Sequence, residues 1–360
     1  MELAPGVYLA ACAVAGFGTT YLSGVALNLE DRIVFGAVLG AAAVSATTFV
    51  LSLVVRDVTT ITVLTGLALA LVVGGVGLLA GRGRLVGDWL DLRVHWRRAV
   101  PLVAVFAVCG AWTVHFLHQA YVYTPAGLFA GYVNIWGDWA AHLSYAGSFA
   151  YGHNFPPAFP IDPGHHLGYP FMVDFLAADL IPVGLSLTEA LTATSGMLGL
   201  AFPAVLYLAG ARFLGGRAGA AIGVFVFLLS GGLGFVIFGS DLLHEGLPAL
   251  VHLPREYTLE RDHFNLQWLN PVLAYLVPQR STLFGFSLAL IVLVLIWIAL
   301  RERLGWRPFL FAGVASGPLP VFHVHAWGTV VALSAIWALF NRRRESVHHS
   351  KTHPRFASQH

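Results

Sequence analysis

Residues 170–186, PFMVDFLAADLIPVGLS, decide how the rest of the chain is threaded. The stretch is apolar but short, and it carries Asp174, Asp179 and Pro182. A membrane-spanning helix needs about 20 predominantly apolar residues, and an Asp at the bilayer centre costs about 2.5–3.5 kcal/mol. If this stretch crossed, the loop holding Arg212 and Arg217 would face the opposite side from every other basic linker. If it lies along one surface or dips into it, all basic linkers share one side, as the positive-inside rule demands. Residues 170–186 therefore read as a juxtamembrane or re-entrant helix with both Asp at the water boundary.

Outward from this stretch, apolar runs at 4–28, 33–55, 60–81, 99–118, 187–211, 217–239 and 282–300 are each long enough to cross as helices. Arg82, Arg84, Arg93, Arg97 and Arg98 form one basic linker, Arg212 and Arg217 a second, Arg301, Arg303 and Arg307 a third, and Arg342, Arg343 and Arg344 a fourth. All four are expected on the cytoplasmic side. Residues 308–340 are too long for one ordinary span and are interrupted by Gly317-Pro318-Leu319-Pro320 and His323-Val324-His325. They read as two short helices, 308–318 and 326–341, that enter and return, with the turn lining a protein-walled cavity. The expected fold is an all-α polytopic membrane protein with about nine crossings, two of them short. It is a single transmembrane domain over 1–341, with external loops at 119–186 and 240–281 and a basic, disordered cytoplasmic tail over 342–360.

Composition agrees. The chain is 57% hydrophobic and 11% charged, whereas soluble proteins carry about 25% charged residues. A net charge of +2, from 19 Arg and the single Lys351 scattered in short clusters, offers no stripe for nucleic acid. Cys12 and Cys109 fall inside expected spans and read as packing residues, not a disulfide. The N-terminus lacks a basic n-region and cleavage site, so its first apolar run is expected to stay as an anchor. Abundant Ala, Gly, Val and Leu, with Arg replacing Lys, point to a bacterial cytoplasmic membrane. No internal repeat, P-loop, dinucleotide glycine motif, GxSxG or HExxH occurs, which disfavours ATP-driven and redox chemistry.

The two external loops differ. The first holds no Lys, Arg or Glu over 119–170, only Asp138 and Asp162 with His142, His153, His165 and His166. In Gly137-Asp138-Trp139-Ala140-Ala141-His142-Leu143-Ser144-Tyr145, Asp138 is placed to cap a helix, and positions 138, 142, 145 and 149 share one face. One reading is a cap with interfacial aromatic anchors; the sharper one makes Asp138 a general base assisted by His142.

This loop resembles the first external loop of GT-C superfamily glycosyltransferases, the group that includes protein O-mannosyltransferases and the aminoarabinose transferase of lipid A. The resemblance rests on a single external Asp at a short helix, on Gly152-His153-Asn154-Phe155-Pro156-Pro157, and on Gly164-His165-His166-Leu167-Gly168-Tyr169-Pro170 running into an apolar surface helix. It implies transfer of a sugar from a polyprenyl-phosphate-type lipid to an acceptor hydroxyl outside the cytoplasm. Asp138 would be the essential acid, and helices at 138–151 and 170–184 would roof an outward-facing cavity. Tyr145, His165, His166 and Tyr169 would bind substrate. Such chemistry needs a cation for the leaving phosphate, and Arg280 in Val277-Pro278-Gln279-Arg280-Ser281 is placed for it, unless it snorkels to headgroups. Arg255 and Arg261 have acidic neighbours to occupy them. His323 and His325 read as a polar turn, as phosphate or sugar ligands alongside Arg280, or as metal ligands; no fixed ligand spacing is visible, so no cofactor is firmly implied and a divalent metal stays open. The expected partners are the lipid-linked sugar and membrane lipid. A transporter or flippase for a lipid-linked or small polar substrate is the rival reading, and a non-catalytic scaffold subunit the third.

Overall fold

Small residues decide how the first three helices meet. Lipid tails are as apolar as Leu, so helices in a bilayer associate through close backbone approach. Helix α1 (Pro5–Thr19, extended by a 3-10 turn to Leu22) packs against α2 (Leu29–Val55) and α3 (Thr60–Ala80) in this way. A Cβ on Gly16 would overlap the Gly36 carbonyl, one on Gly40 the Cys12 carbonyl, and one on Gly18 the Gly74 backbone. Capping boxes at Asn28/Asp31 and Thr59/Thr62 start α2 and α3.

The computed structural model describes residues 5–131, 133–232, 234–250, 252, 254, 255, 257 and 270–352. It is 77% helical. Among the described residues seven helices are long and apolar enough to cross a membrane, so the chain is a multi-pass membrane protein. After α3 come α4 (Arg82–Val94), α5 (Val100–Ala120), the hairpin β1–β2 (Tyr121–Thr124, Gly127–Ala130) and α6 (Val133–Ala150). A second hairpin, β3–β4 (Ala158–Phe159, Asp162–His166), leads to α7 (Met172–Leu180) and α8 (Leu187–Leu214). Then follow α9 (Arg217–Leu229), α10 (Gly234–Glu245), a π-helical turn at Val272–Leu276, α11 (Arg280–Arg301), α12 (Arg307–Ser316), α13 (Leu319–Phe322) and α14 (Val324–Thr352). Buried apolar residues from Tyr8 to Val330 form one continuous core.

Three of the basic linkers gather at one end of the bundle. Arg32 Nε lies 2.8 Å from Asp88 and stacks over the Tyr21 ring, and Arg84 donates to the Tyr21 carbonyl. Arg212 pairs with Asp31, Arg217 with Glu30, and Arg307 packs beside Gly24. Of the fourth linker, 342–344, only the helical backbone is described.

Three expectations need correction. The run 217–239 is not one straight crossing: α9 and α10 meet at 74° across the glycine-rich stretch 230–234, and Asn270 Nδ2 donates to the Leu228 and Ser230 carbonyls at 3.0 Å each. Among the described residues seven helices have the length and apolarity that a crossing needs, or eight if that bent pair is one span; nine crossings were expected. In 308–340 the break falls where expected, but α14 is a full-length span and its backbone stays helical to Thr352, past the expected tail boundary at 342. The first external loop also contains two hairpins that its loop-like composition concealed.

A further correction concerns α7, expected as a juxtamembrane or re-entrant helix: its two Asp do not lie at a water boundary. All nine residues are buried, Asp174 and Asp179 among them with no exposed area. Phe171 and Phe175 stack with Phe49 of α2 and Phe149 of α6, which wedges the helix into the bundle. The turn Pro182–Gly184, with Gly184 at φ 113°, and a Ser186/Glu189 capping box then launch α8.

Candidate functional site

Three successive residues at the start of α11 point about 100° apart, as helical geometry requires, and each meets a different segment. Arg280 reaches α7 and α8, the Ser281 hydroxyl lies beside the Tyr169 phenol, and Thr282 Oγ1 is 3.5 Å from His323 Nε2. The polar end of the bundle is organised around this turn.

Arg280 has no exposed area. Its Nη1 donates to Asp174 Oδ1 at 2.6 Å, its Nε to Ser195 Oγ at 2.8 Å, and its Nη2 to Thr194 Oγ1 and to the Leu191 carbonyl at 3.3 Å. Its guanidinium carbon lies 5.8 Å from the Trp139 ring, whose Nε1 donates to the Val277 carbonyl at 2.9 Å. The expected phosphate ligand is thus a buried, fully engaged ion pair. A buried charge persists only when paired and hydrogen-bonded, and Asp174 supplies that pairing from the helix expected at the surface.

Asp174 also holds His142. The imidazole Nδ1 lies 2.9 Å from both carboxylate oxygens, so an Nδ1–H donates to the carboxylate and fixes the ring. The Tyr145 and Tyr169 rings lie 6.3 and 5.9 Å from the imidazole and stack on each other at 5.3 Å. Burial pushes the Tyr169 phenol above its ordinary range; the Ser281 hydroxyl draws it back, while the Asp174 and Asp138 charges raise it further.

Asp138 sits in the second turn of α6, not at its cap. The inward face runs through Trp139, His142, Tyr145 and Phe149, leaving Asp138 half-buried at its edge with no hydrogen bond or ion pair among the described residues. His165 and His166 are not brought to this cluster: both are exposed on β4, with His165 Nδ1 2.9 Å from Asp162. His153 pairs at the surface with Asp57. His323 is buried against α11, where Gly285 has no side chain to displace it, and the His325 ring lies 5.8 Å away, exposed. Arg255 is held by Asp241 at 2.9 Å, and Arg261 lies outside the described residues. No group of three His, Cys, Asp or Glu side chains converges as metal ligands among the described residues.

Sequence reasoning weighed Asp174 only for topology and missed Trp139, Thr194 and Ser195. The available signal was that an intramembrane acid needs a partner, and Arg280 was the cation at that end. A narrow apolar cleft of about 50 Å³ opens beside this network, walled by Cys109, Trp112, Leu117, Phe202, Val277 and Leu283. Set against protein-family models, curated proteins and solved structures, the chain matches none.

Proposed function

We propose that the chain is an integral-membrane glycosyltransferase that moves a sugar from a polyprenyl-phosphate-type donor to an acceptor hydroxyl, at the outer side of a bacterial cytoplasmic membrane. The observation that carries the reading is a half-buried Asp138 carboxylate with no hydrogen bond or ion pair among the described residues, near enough to Tyr169 to raise its phenol, next to an immobilised His142–Asp174–Arg280 chain. The positive-inside rule assigns the basic end to the cytoplasm and this end to the outside.

In the proposed reaction the acceptor oxygen attacks the anomeric carbon and Asp138 takes its proton. The bond from that carbon to the phosphate oxygen breaks, and the electron pair leaves with the lipid phosphate. Arg280, already engaged, orients Asp174 and His142 instead of clamping the phosphate. His323 and His325 are the groups left to meet the leaving oxygen. Tyr145 and Tyr169 offer stacked rings to the sugar, and the adjacent cleft takes the first units of the lipid chain, which enters sideways from the bilayer. Residues 281–300 carry no titratable side chain, so α11 offers a polar substrate no charged path toward the basic end. That supports the enzyme over the transport reading.

Reconstitution with polyprenyl-phosphate sugars tests the proposal. Wild type should transfer sugar, and Asp138→Asn should lose about 10²–10⁴-fold in rate. Full transfer by the variant would sink the base assignment; no transfer by wild type from any such donor would sink the function.

A further inference from the structure

At the basic end, α11 and α14 carry the same two-residue device. Trp297 lies one turn before Arg301, and Trp337 one turn before Asn341. The two indoles are in contact, tilted 52° with centroids 5.5 Å apart, and Phe213 of α8 closes the back at 5.9 and 6.4 Å. With Leu300 and Phe340 they wall a cavity of about 490 Å³ whose rim holds Arg301 and Asn341. Neither polar side chain has a partner among the described residues.

Isolated interfacial Trp residues anchor a helix by pointing individually into headgroups. Here they touch and together line one wall of an open notch, with a guanidinium and a carboxamide one turn, about 6 Å, further toward the water. That order of apolar wall, then hydrogen-bond donors, matches a phospholipid's acyl chains, ester region and phosphate. Arg303 and Arg307 follow Arg301, and Arg342, Arg343 and Arg344 follow Asn341, against the acids Glu302 and Glu345. The local excess is positive and favours an anionic headgroup.

We propose that this notch binds one anionic phospholipid of the leaflet at the basic end, its phosphate on Arg301 and Asn341 and its first methylenes laid against Trp297, Trp337 and Phe340. The site is independent of the sugar-transfer chemistry.

Native mass spectrometry of the delipidated full chain, titrated with phosphatidylglycerol or phosphatidylcholine, tests it. Wild type should retain one phosphatidylglycerol in preference to phosphatidylcholine. Arg301→Gln, at an exposed position, should weaken phosphatidylglycerol retention about fivefold, the effect of about one basic residue at a membrane surface. Arg93→Gln, in α4, should not. Trp337→Leu should weaken both lipids by opening the wall. Equal retention of the two lipids by wild type, or unchanged preference in Arg301→Gln, would overturn the proposal.

Discussion

Asp174 and Asp179 lie on the same short helix, equally buried, in opposite circumstances. Asp174 takes hydrogen bonds from Arg280 and His142, whereas neither oxygen of Asp179 has a partner among the described residues, and its polar neighbours are Tyr8 and Cys12 of α1. Asp174→Leu should therefore strip a buried guanidinium of its counter-charge and cost about 3–5 kcal/mol. Combining it with Arg280→Met should restore most of that loss, read as detergent-solubilised unfolding temperature; additive losses would mean the two do not act as a pair. Asp179→Asn, by contrast, should leave the unfolding temperature unchanged or raised, since it removes no hydrogen bond. A drop as large as that of Asp174→Leu would reveal a partner. The sequence signalled only that an intramembrane acid needs a partner; which cation supplies it was hidden, because Asp174 and Arg280 are 106 residues apart. Charge bookkeeping could say only that an Asp in apolar sequence avoids the bilayer centre. At Asp174 the chain avoids the cost by pairing, not by exposure.

At the scale of elements, hydropathy located most crossings, because length and apolarity are the physical requirement for them. It failed at 217–239, where Gly231, Gly232 and Gly234 disrupt the helix without lowering hydropathy. The β1–β2 hairpin was legible in principle: YVYT and GLFA flank Pro125-Ala126, with Tyr121 paired to Ala130 and Val122 to Phe129. The face of α6 was read correctly at His142, Tyr145 and Phe149, but Trp139 takes the buried place at its start and leaves Asp138 at the edge. The contact between α1 and α2 supplies the prediction at this scale. Gly40→Val should force the backbones apart and cost about 1–3 kcal/mol, measured as thermal unfolding. Gly75→Val, where an added Cβ meets nothing within 4 Å, should be neutral.

Seen whole, the molecule has two chemically distinct ends. One is closed by Arg32–Asp88, Arg212–Asp31 and Arg217–Glu30; the other holds the Arg280–Asp174–His142 chain, the hairpins and the exposed histidines. Sidedness is testable because both native cysteines are buried. In right-side-out vesicles Ala126→Cys should react with an impermeant maleimide at once, and Arg93→Cys only after permeabilisation. The reverse pattern would invert the orientation and with it the proposed site of reaction.

The burial of α7 also imposes an order of events on synthesis. Chains emerge N-terminus first at about 5–20 residues per second, so Asp174 exists for several seconds before Arg280, 106 residues later, is made. Its wedge between α2, α6, α8 and α11 cannot close until α11 has been threaded. Newly made chains halted shortly before residue 280 should hold α7 in a protease-sensitive state, and only those released beyond it should lock.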